Sequence, residues 1–548
     1  MKKIYVLLLS AFSFIMLSGC NDWIELEPKD TVANENFFKT KDDFDQAVTG
    51  LYSMLRPLDD EAKDGAYFGN LYWEVCADVC MYKNSWTQPW FDISRGELKS
   101  VTDNVASLYQ KVYAAISWSN TIIEQIEAKQ SEFPEDFVNY VKGQAHFVRA
   151  ICYIRLTSLW GPVPMIDRLY LPSESKLPRS SVDDITNQLI IPDLKIAVSC
   201  LEMTPYNNKW GLATKQAAMG MRVRAYLYNK DYENTVEAAK ELMELDKTLE
   251  NSMFLDDYKS IFANSNENNP EILFSLKYVA NGTKQGSTFN TPFGSKIPGL
   301  PTGSMNGSWA TVSILPEFID SYPLTDGKTV AEGSMVYDSQ NKWANRGPRF
   351  ESTFYIGGYS VVNGMPFTSE YVCGIDAQCA IDYPLNINKG YMNEDKKTEW
   401  LQEDESDFII LRYTDVLLMY AEAKTMLGDI DQSVFDILDA VRDRAGIAHV
   451  AHTTDPKALS LHDALPISKA MMKIIQDERK WEFAFEGLRY FDIRRWGIAA
   501  DVINSITSDE LYNFGSHKVF VAPANYLWPL PQEATDANPN LLPNNEGY

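Results

Sequence analysis

Cysteine is scarce in this chain, seven residues in 548, which excludes a disulfide scaffold of the kind that staples short secreted domains. Cys76 and Cys80 stand at helical spacing without a second pair to complete a zinc site, and the five histidines are scattered, so no zinc finger or His-Glu-Xaa-Xaa-His centre is written here. Positive charge is also short. The 50 Lys and Arg against 75 Asp and Glu give a formal charge of −25, which removes nucleic acid from the partners to consider. Beyond Cys20 no apolar run reaches membrane-spanning length, and neither a Walker loop nor a Gly-Xaa-Ser-Xaa-Gly elbow occurs. What is present is an ordinary globular composition, 45% hydrophobic and 23% charged, in a chain long enough for two domains or one large helical assembly. No cofactor and no metal are expected.

The chain opens on Lys2 and Lys3, then an apolar stretch from Ile4 that closes on Leu17-Ser18-Gly19-Cys20. This is the pattern of a bacterial lipoprotein cleavage site, so residues 1–19 are expected to leave as a signal peptide and Cys20 to carry the lipid. Residues 20–36, polar and containing Pro28, read as a tether that holds the rest clear of the membrane. The mature protein is thereby expected outside the cytoplasm, anchored by acyl chains.

From Phe37 onward apolar residues recur at helical spacing: Phe44, Val48 and Leu51. The pattern predicts further helices over Val105–Ile126, over Gly143–Trp160, which is apolar nearly all round and ends at Gly161-Pro162, and over Val182–Leu201. Thr214–Tyr228 with Tyr232–Leu245, and Phe408–Leu427 with Gln432–Arg444, read as helical hairpins turning at Lys230-Asp231 and Gly428-Asp429, in the manner of tetratricopeptide units. Residues 280–400 lose this period and become rich in Gly, Pro, Asn, Ser and Thr, which predicts long ordered loops with a few short strands. The expected fold is mainly α. The tetratricopeptide-like hairpins form a scaffold that carries these loops, a usual place for binding sites.

Leu459–Ser468 breaks the pattern. The segment resembles the conceptual translation of a common sequencing adapter, and Pro466 interrupts the approach to a helix. We read it as an assembly artefact, so His462 and Asp463 carry no functional argument.

The stretch Glu478-Arg479-Lys480-Trp481-Glu482-Phe483-Ala484-Phe485-Glu486-Gly487-Leu488-Arg489-Tyr490-Phe491-Asp492-Ile493-Arg494-Arg495-Trp496 closely resembles the C-terminal signature of the SusD/RagB family of outer-membrane nutrient-binding lipoproteins. Gly143–Ala150 with Leu159–Pro164, Leu177–Ser181, Ala213–Ala218, Leu411–Ala423, Val441–Gly446, Trp528–Pro531 and Asn545–Tyr548 are similar to family segments in the same order. The resemblance implies a helical fold in which tetratricopeptide-like hairpins pack against a loop-rich ligand-binding region, with residues 37–270 and 271–548 as two regions of one intertwined globular unit. It also implies a SusC-like TonB-dependent outer-membrane barrel as partner, and capture of oligosaccharides or polysaccharides at the cell surface without catalysis. Two other classes compete with it: a tetratricopeptide-type protein-interaction scaffold at the outer membrane, and a glycan-active enzyme.

Glu478, Glu482 and Glu486 fall four apart on one helical face, an arrangement that invites an acid–base reading. Arg479, Arg489, Arg494 and Arg495, interleaved with Trp481, Phe483 and Phe485, favour buried ion pairs instead. Glycan capture asks for exposed aromatic faces beside amide or charged groups. The densest such cluster runs from Tyr82 through Asn84, Trp86 and Trp90 to Arg95, expected as a loop, and Trp309 in Asn306-Gly307-Ser308-Trp309 is a second. Tyr82, Asn84, Trp86, Trp90, Arg95 and Trp309 are the ligand-binding candidates.

Overall fold

The computed structural model describes residues 37–56, 70–82, 88–279, 285–287, 312–362, 364–368, 383–390, 405–452, 467–508 and 517–548. The chain divides into two compact units, Met1–Ala47 and Val48–Tyr548. In the first, Phe38 packs against Phe44 at 5.0 Å. Thr40 and Asp43 form a reciprocal cap: the Asp43 N–H donates to Thr40 Oγ1 at 3.2 Å and the Thr40 N–H to the Asp43 carboxylate at 2.7 Å, which starts the helix Lys41–Ser53.

The second unit is built on long helices: α1 (Asp103–Ala128), α2 (Glu135–Trp160), α3 (Ile191–Cys200), α4 (Lys215–Tyr228), α5 (Tyr232–Asp246), α6 (Tyr413–Met426), α7 (Gln432–Ala445), α8 (Ile467–Glu482) and α9 (Arg489–Arg495). Successive helices pack as neighbours from α1 through α5; α5 then packs on α6, and α6 on both α7 and α8. Both expected hairpins are present. Lys230 takes a left-handed φ of 59° at the α4–α5 turn, and Gly428 one of 74° before α7. Asp231 and Asp431 cap the second helix of each pair, accepting from Asn234 N at 3.2 Å and Ser433 N at 3.0 Å. The α2 helix is buried nearly all round, as its composition predicts. Its Gly143 permits α2 to approach the end of α3 closely, since a Cβ there would lie 2.6 Å from Leu201.

Two expectations change. The helix predicted over Val182–Leu201 breaks into Val182–Ile185, a π-helical turn Thr186–Ile190 and α3. Pro192 explains the break: it has no N–H for the carbonyl of Gln188, and its ring crowds that carbonyl, so the ladder widens just before it. The helix predicted over Phe408–Leu427 begins only at Tyr413. Phe408–Arg412 is instead a strand, antiparallel to Ile272–Leu276 with Leu276 opposite Phe408 and Ile272 opposite Arg412. A short apolar run suits a buried strand or a buried helix equally, and a partner far earlier in the chain decides.

Within 280–400 the described residues carry short strands in two-stranded pairs. Val312–Ile314 lies against Cys80–Tyr82, Phe354–Ile356 against Leu385–Ile387, and Val361–Val362 against Met365–Pro366. Two short helices, Pro316–Asp320 and Pro348–Thr353, were not legible in the sequence. Of the adapter-like segment only Ile467 and Ser468, at the start of α8, fall among the described residues.

The signature segment sits in the core as a network of paired charges. Glu482 accepts from Arg444 at 2.8 Å, Arg412 at 3.1 Å and Arg349 at 3.2 Å. Glu478 takes Arg349 at 2.6 Å and Arg442 at 2.9 Å, Glu486 takes Arg412 at 2.7 Å and Lys389 at 2.6 Å, and Glu271 takes Arg412 and Arg444, each at 2.7 Å. A second cluster adjoins along the same segment, where Arg479 bridges Asp415 at 2.7 Å and Asp492 at 2.8 Å while Arg495 holds Glu422 at 2.7 Å. Burial opposes ionisation of Glu482, but the surrounding guanidiniums outweigh it and hold its pKa down to about 2. These carboxylates fasten α8 to its neighbours through Arg349, Lys389, Arg412, Arg442 and Arg444 from outside the segment. Of the segment's own arginines, Arg479, Arg489 and Arg495 pair with other acids and Arg494 with none among the described residues.

Candidate functional site

Two of the sequence candidates are core residues. Tyr82 and Trp90 are each only 1% exposed. Trp90 stacks on Tyr72 at 4.8 Å and meets Trp73 edge-on at 5.3 Å, and Tyr72 also faces Tyr82 at 6.4 Å. The cluster continues from Trp73 to Tyr490 and Trp528, so these rings anchor the signature segment and offer no open face to a ligand. The expected loop is also partly regular, with Cys80–Tyr82 a strand and Gln88–Ser94 a short helix. Arg95 is engaged locally, 2.7 Å from Glu97 and over the ring of Phe91 at 5.1 Å. Cys20, Asn84, Trp86 and Trp309 lie outside the described residues. Cys76, Cys80 and Cys152 are buried free thiols, and Cys200 is free and half-buried. His449 and His452 converge on Asp439, at 3.3 and 2.6 Å, an arrangement that the scattered histidines did not suggest.

Among the described residues the most exposed aromatic is Trp210, 54% exposed and outside the sequence candidates. It stands on the turn between α3 and α4, and the chain holds that turn firmly. Tyr206 stacks flat on Tyr140 of α2 at 4.1 Å and 7°. Asn207 and Asn208 then take left-handed φ values of 50° and 56°, which asparagine tolerates better than most residues. Gly211 follows at φ 104°, with Lys277 so close that a Cβ would lie 2.7 Å from its Cγ. Beyond the turn, Ala213 is bound on both backbone groups: its N–H donates to Tyr52 Oη at 3.0 Å, and its carbonyl accepts from Gln144 Nε2 at 2.9 Å. Tyr52 Oη in turn bonds Gln144.

Trp210 borders a cleft of about 250 Å³. Leu212, Met253, Leu273 and Phe274 give it an apolar floor, and Phe274 is fixed edge-on against Phe147 of α2 at 4.9 Å. Polar groups surround that floor. Gln216 lines the cleft, and its buried Oε1 has no hydrogen-bond partner among the described residues. Lys277 pairs with Asp407 and donates to the Glu267 carbonyl at 3.0 Å, while Glu267 Oε1 accepts from the Asp407 N–H at 3.0 Å. Burial pushes the Asp407 carboxyl up against the opposing effect of Lys277. The arrangement offers an indole face, an apolar floor and amide, carboxylate and ammonium groups at the margin, a set suited to non-covalent recognition of a molecule with one apolar face and many hydroxyls. The signal in the sequence was Asn207-Asn208-Lys209-Trp210-Gly211, a tryptophan among turn formers, of the same kind as Asn306-Gly307-Ser308-Trp309.

Comparison with known proteins agrees with this architecture. The SusD family model matches residues 270–548. A second model, described as starch-binding associating with outer membrane, matches residues 22–227. SusD-like protein P25 of Formosa agariphila is 24% identical, with 100% of both chains covered. SusD-like protein P2 of the same organism is 26% identical over 97% of this chain and 98% of its own. Among solved structures, a SusD-like carbohydrate binding protein from Bacteroides fragilis has a TM-score of 0.74 at 23% identity, covering 92% of this chain and 99% of its own. A laminarin binding SusD-like protein has a TM-score of 0.69 at 19% identity, covering 93% and 100%. With residues 270–548, more than half of its length, matched by the family model and its fold shared with these structures, the chain belongs to the SusD family.

Proposed function

We propose that this protein binds an oligosaccharide or polysaccharide at the cell surface and delivers it to a SusC-like TonB-dependent barrel in the outer membrane. The observation that carries the glycan reading is the exposed indole of Trp210, held by a rigid turn over an apolar cleft with polar groups at its margin. A sugar ring presents an apolar face and a girdle of hydroxyls, and this surface complements both. The carbohydrate-binding and laminarin-binding relatives support the ligand class, and the second family model's description supports the outer membrane as location. Cys20 is the proposed lipid attachment point, and among the described residues no helix is long and apolar enough to cross a membrane. A tethered binder stays at high effective concentration beside its transporter. The signature carboxylates are engaged by arginines and lysine, which favours binding over turnover.

Native gels cast with a panel of polysaccharides test the reading. Retardation by at least one glycan is expected, and Trp210→Ala should reduce it without lowering the melting temperature. Mobility unchanged in every gel would sink the glycan reading. Retardation that survives Trp210→Ala but disappears in Trp86→Ala or Trp309→Ala would move the platform to those residues.

A further inference from the structure

A second and larger cavity, about 380 Å³, lies away from the Trp210 cleft, between the C-terminal end of α2, the π-helical turn, the α4–α5 turn and α9. Its volume is within the range of small-molecule sites. Its chemistry is unusual for a chain of charge −25. Lys230, Arg494 and Arg495 line it, and among the described residues no aspartate or glutamate does.

The cations are not equivalent. Arg495 is neutralised by Glu422 and Asp492. Arg494 is only 7% exposed and has no carboxylate partner among the described residues. Its Nε donates to the Tyr526 carbonyl at 3.0 Å, its Nη2 reaches the Leu159 carbonyl at 3.4 Å, and its charge lies over the Tyr490 ring at 4.7 Å. Its Nη1 is sealed from solvent and has no hydrogen-bond partner among the described residues. A buried guanidinium with carbonyl acceptors alone retains most of its positive field. Lys230, exposed at the left-handed turn, has no carboxylate partner among the described residues either.

The remaining lining suits a sugar ring. Ile154, Val182, Ile190 and Leu527 supply apolar wall. Thr157 and Ser158 donate their hydroxyl protons back to α2, to Tyr153 O at 2.9 Å and Ile154 O at 2.6 Å, which leaves oxygen lone pairs as acceptors. The cavity thus offers acceptors for ligand hydroxyls and uncompensated positive charge for an oxyanion.

We propose that this cavity is a second ligand site that takes an acidic sugar, its carboxylate paired with Lys230 in the positive field of the buried Arg494 guanidinium. The proposal rests on the glycan-binding reading and narrows its ligand class. Titration calorimetry of the full chain at low salt, with sodium glucuronate, glucose and sodium sulfate as separate probes, tests it. Glucuronate is expected to bind, and glucose is not. Lys230→Ala should weaken glucuronate about two- to fivefold, as for a solvent-exposed ion pair, and Arg494→Gln, which removes the buried positive field, should weaken it as well. Trp210→Ala should leave it unchanged. Sulfate binding as tightly as glucuronate would overturn the proposal, because capture of a bare oxyanion needs no sugar site. So would glucuronate binding that ignores Lys230→Ala, a surface change that leaves the core intact. Silent glucuronate titrations beside clear gel retardation by a neutral glucan would overturn this inference alone, whereas silence in both would remove the glycan reading beneath it.

Discussion

Glu482→Gln is the sharpest probe of what holds this fold together, because it keeps the volume of the side chain and removes one charge. Glu482 accepts from Arg349, Arg412 and Arg444, all of them buried. After the change, Arg349, Arg412, Arg442, Arg444 and Lys389 would face Glu271, Glu478 and Glu486 alone. The new amide N–H₂ would point donors at donors. Breaking a buried pair on one side costs about 3–5 kcal/mol. The carboxyl's displacement from 4.5 to about 2 gives a similar figure, roughly 3 kcal/mol at about 1.4 kcal/mol per pH unit. The assay is urea unfolding at pH 7 followed by tryptophan fluorescence. With m above about 3 kcal/mol/M for a chain of this size, the midpoint should fall by up to about 1.7 M. A folded pKa below the unfolded one means stability present above pH 4.5 and lost as pH falls toward 2, so the variant should lack that part of the acid slope. The exposed pair Glu237–Lys240, at 3.1 Å, is the control, and Glu237→Gln should leave the midpoint unchanged. Equal midpoints for Glu482→Gln and wild type would refute the reasoning.

Trp210→Ala should weaken glycan affinity about tenfold or more, since covering one indole face removes on the order of 70 Å² of apolar surface from water at about 25 cal/mol per Å²; calorimetry against the glycan found by gel retardation checks it. Glu74 is buried and accepts from the Gly487 N–H at 2.8 Å, and burial pushes its pKa up to about 8. The folded state therefore keeps a proton that the unfolded chain has released, so its contribution falls as pH rises from 4.5 through 8, and Glu74→Gln should flatten unfolding midpoints across that window. Cys20→Ala should leave glycan affinity intact and impair uptake by whole cells; normal uptake would show that the barrel contact alone retains the protein. Resequencing the locus from unligated genomic template should not return the codons of Leu459–Ser468, and their recovery would refute the adapter reading.

The long helices of this protein were legible because their apolar residues repeat with the helical period, and α2, the two hairpins and their polar turns follow from that alone. The charge pattern of Glu478, Glu482 and Glu486 among arginines likewise announced paired carboxylates, since that many charges beside Trp481, Phe483 and Phe485 must be paired if buried. Tertiary structure decided which aromatics face solvent. Trp90 and Trp210 both stand near turn formers, yet Trp90 is covered by Tyr72 and Trp73 while Trp210 is thrust outward by a turn pinned to Tyr140, Gln144 and Tyr52. It also decided that Phe408–Arg412 is a strand, because Ile272–Leu276 arrives beside it. Local sequence fixes periodicity and turns, but exposure and strand pairing depend on residues hundreds of positions away, and only folding brings those into contact.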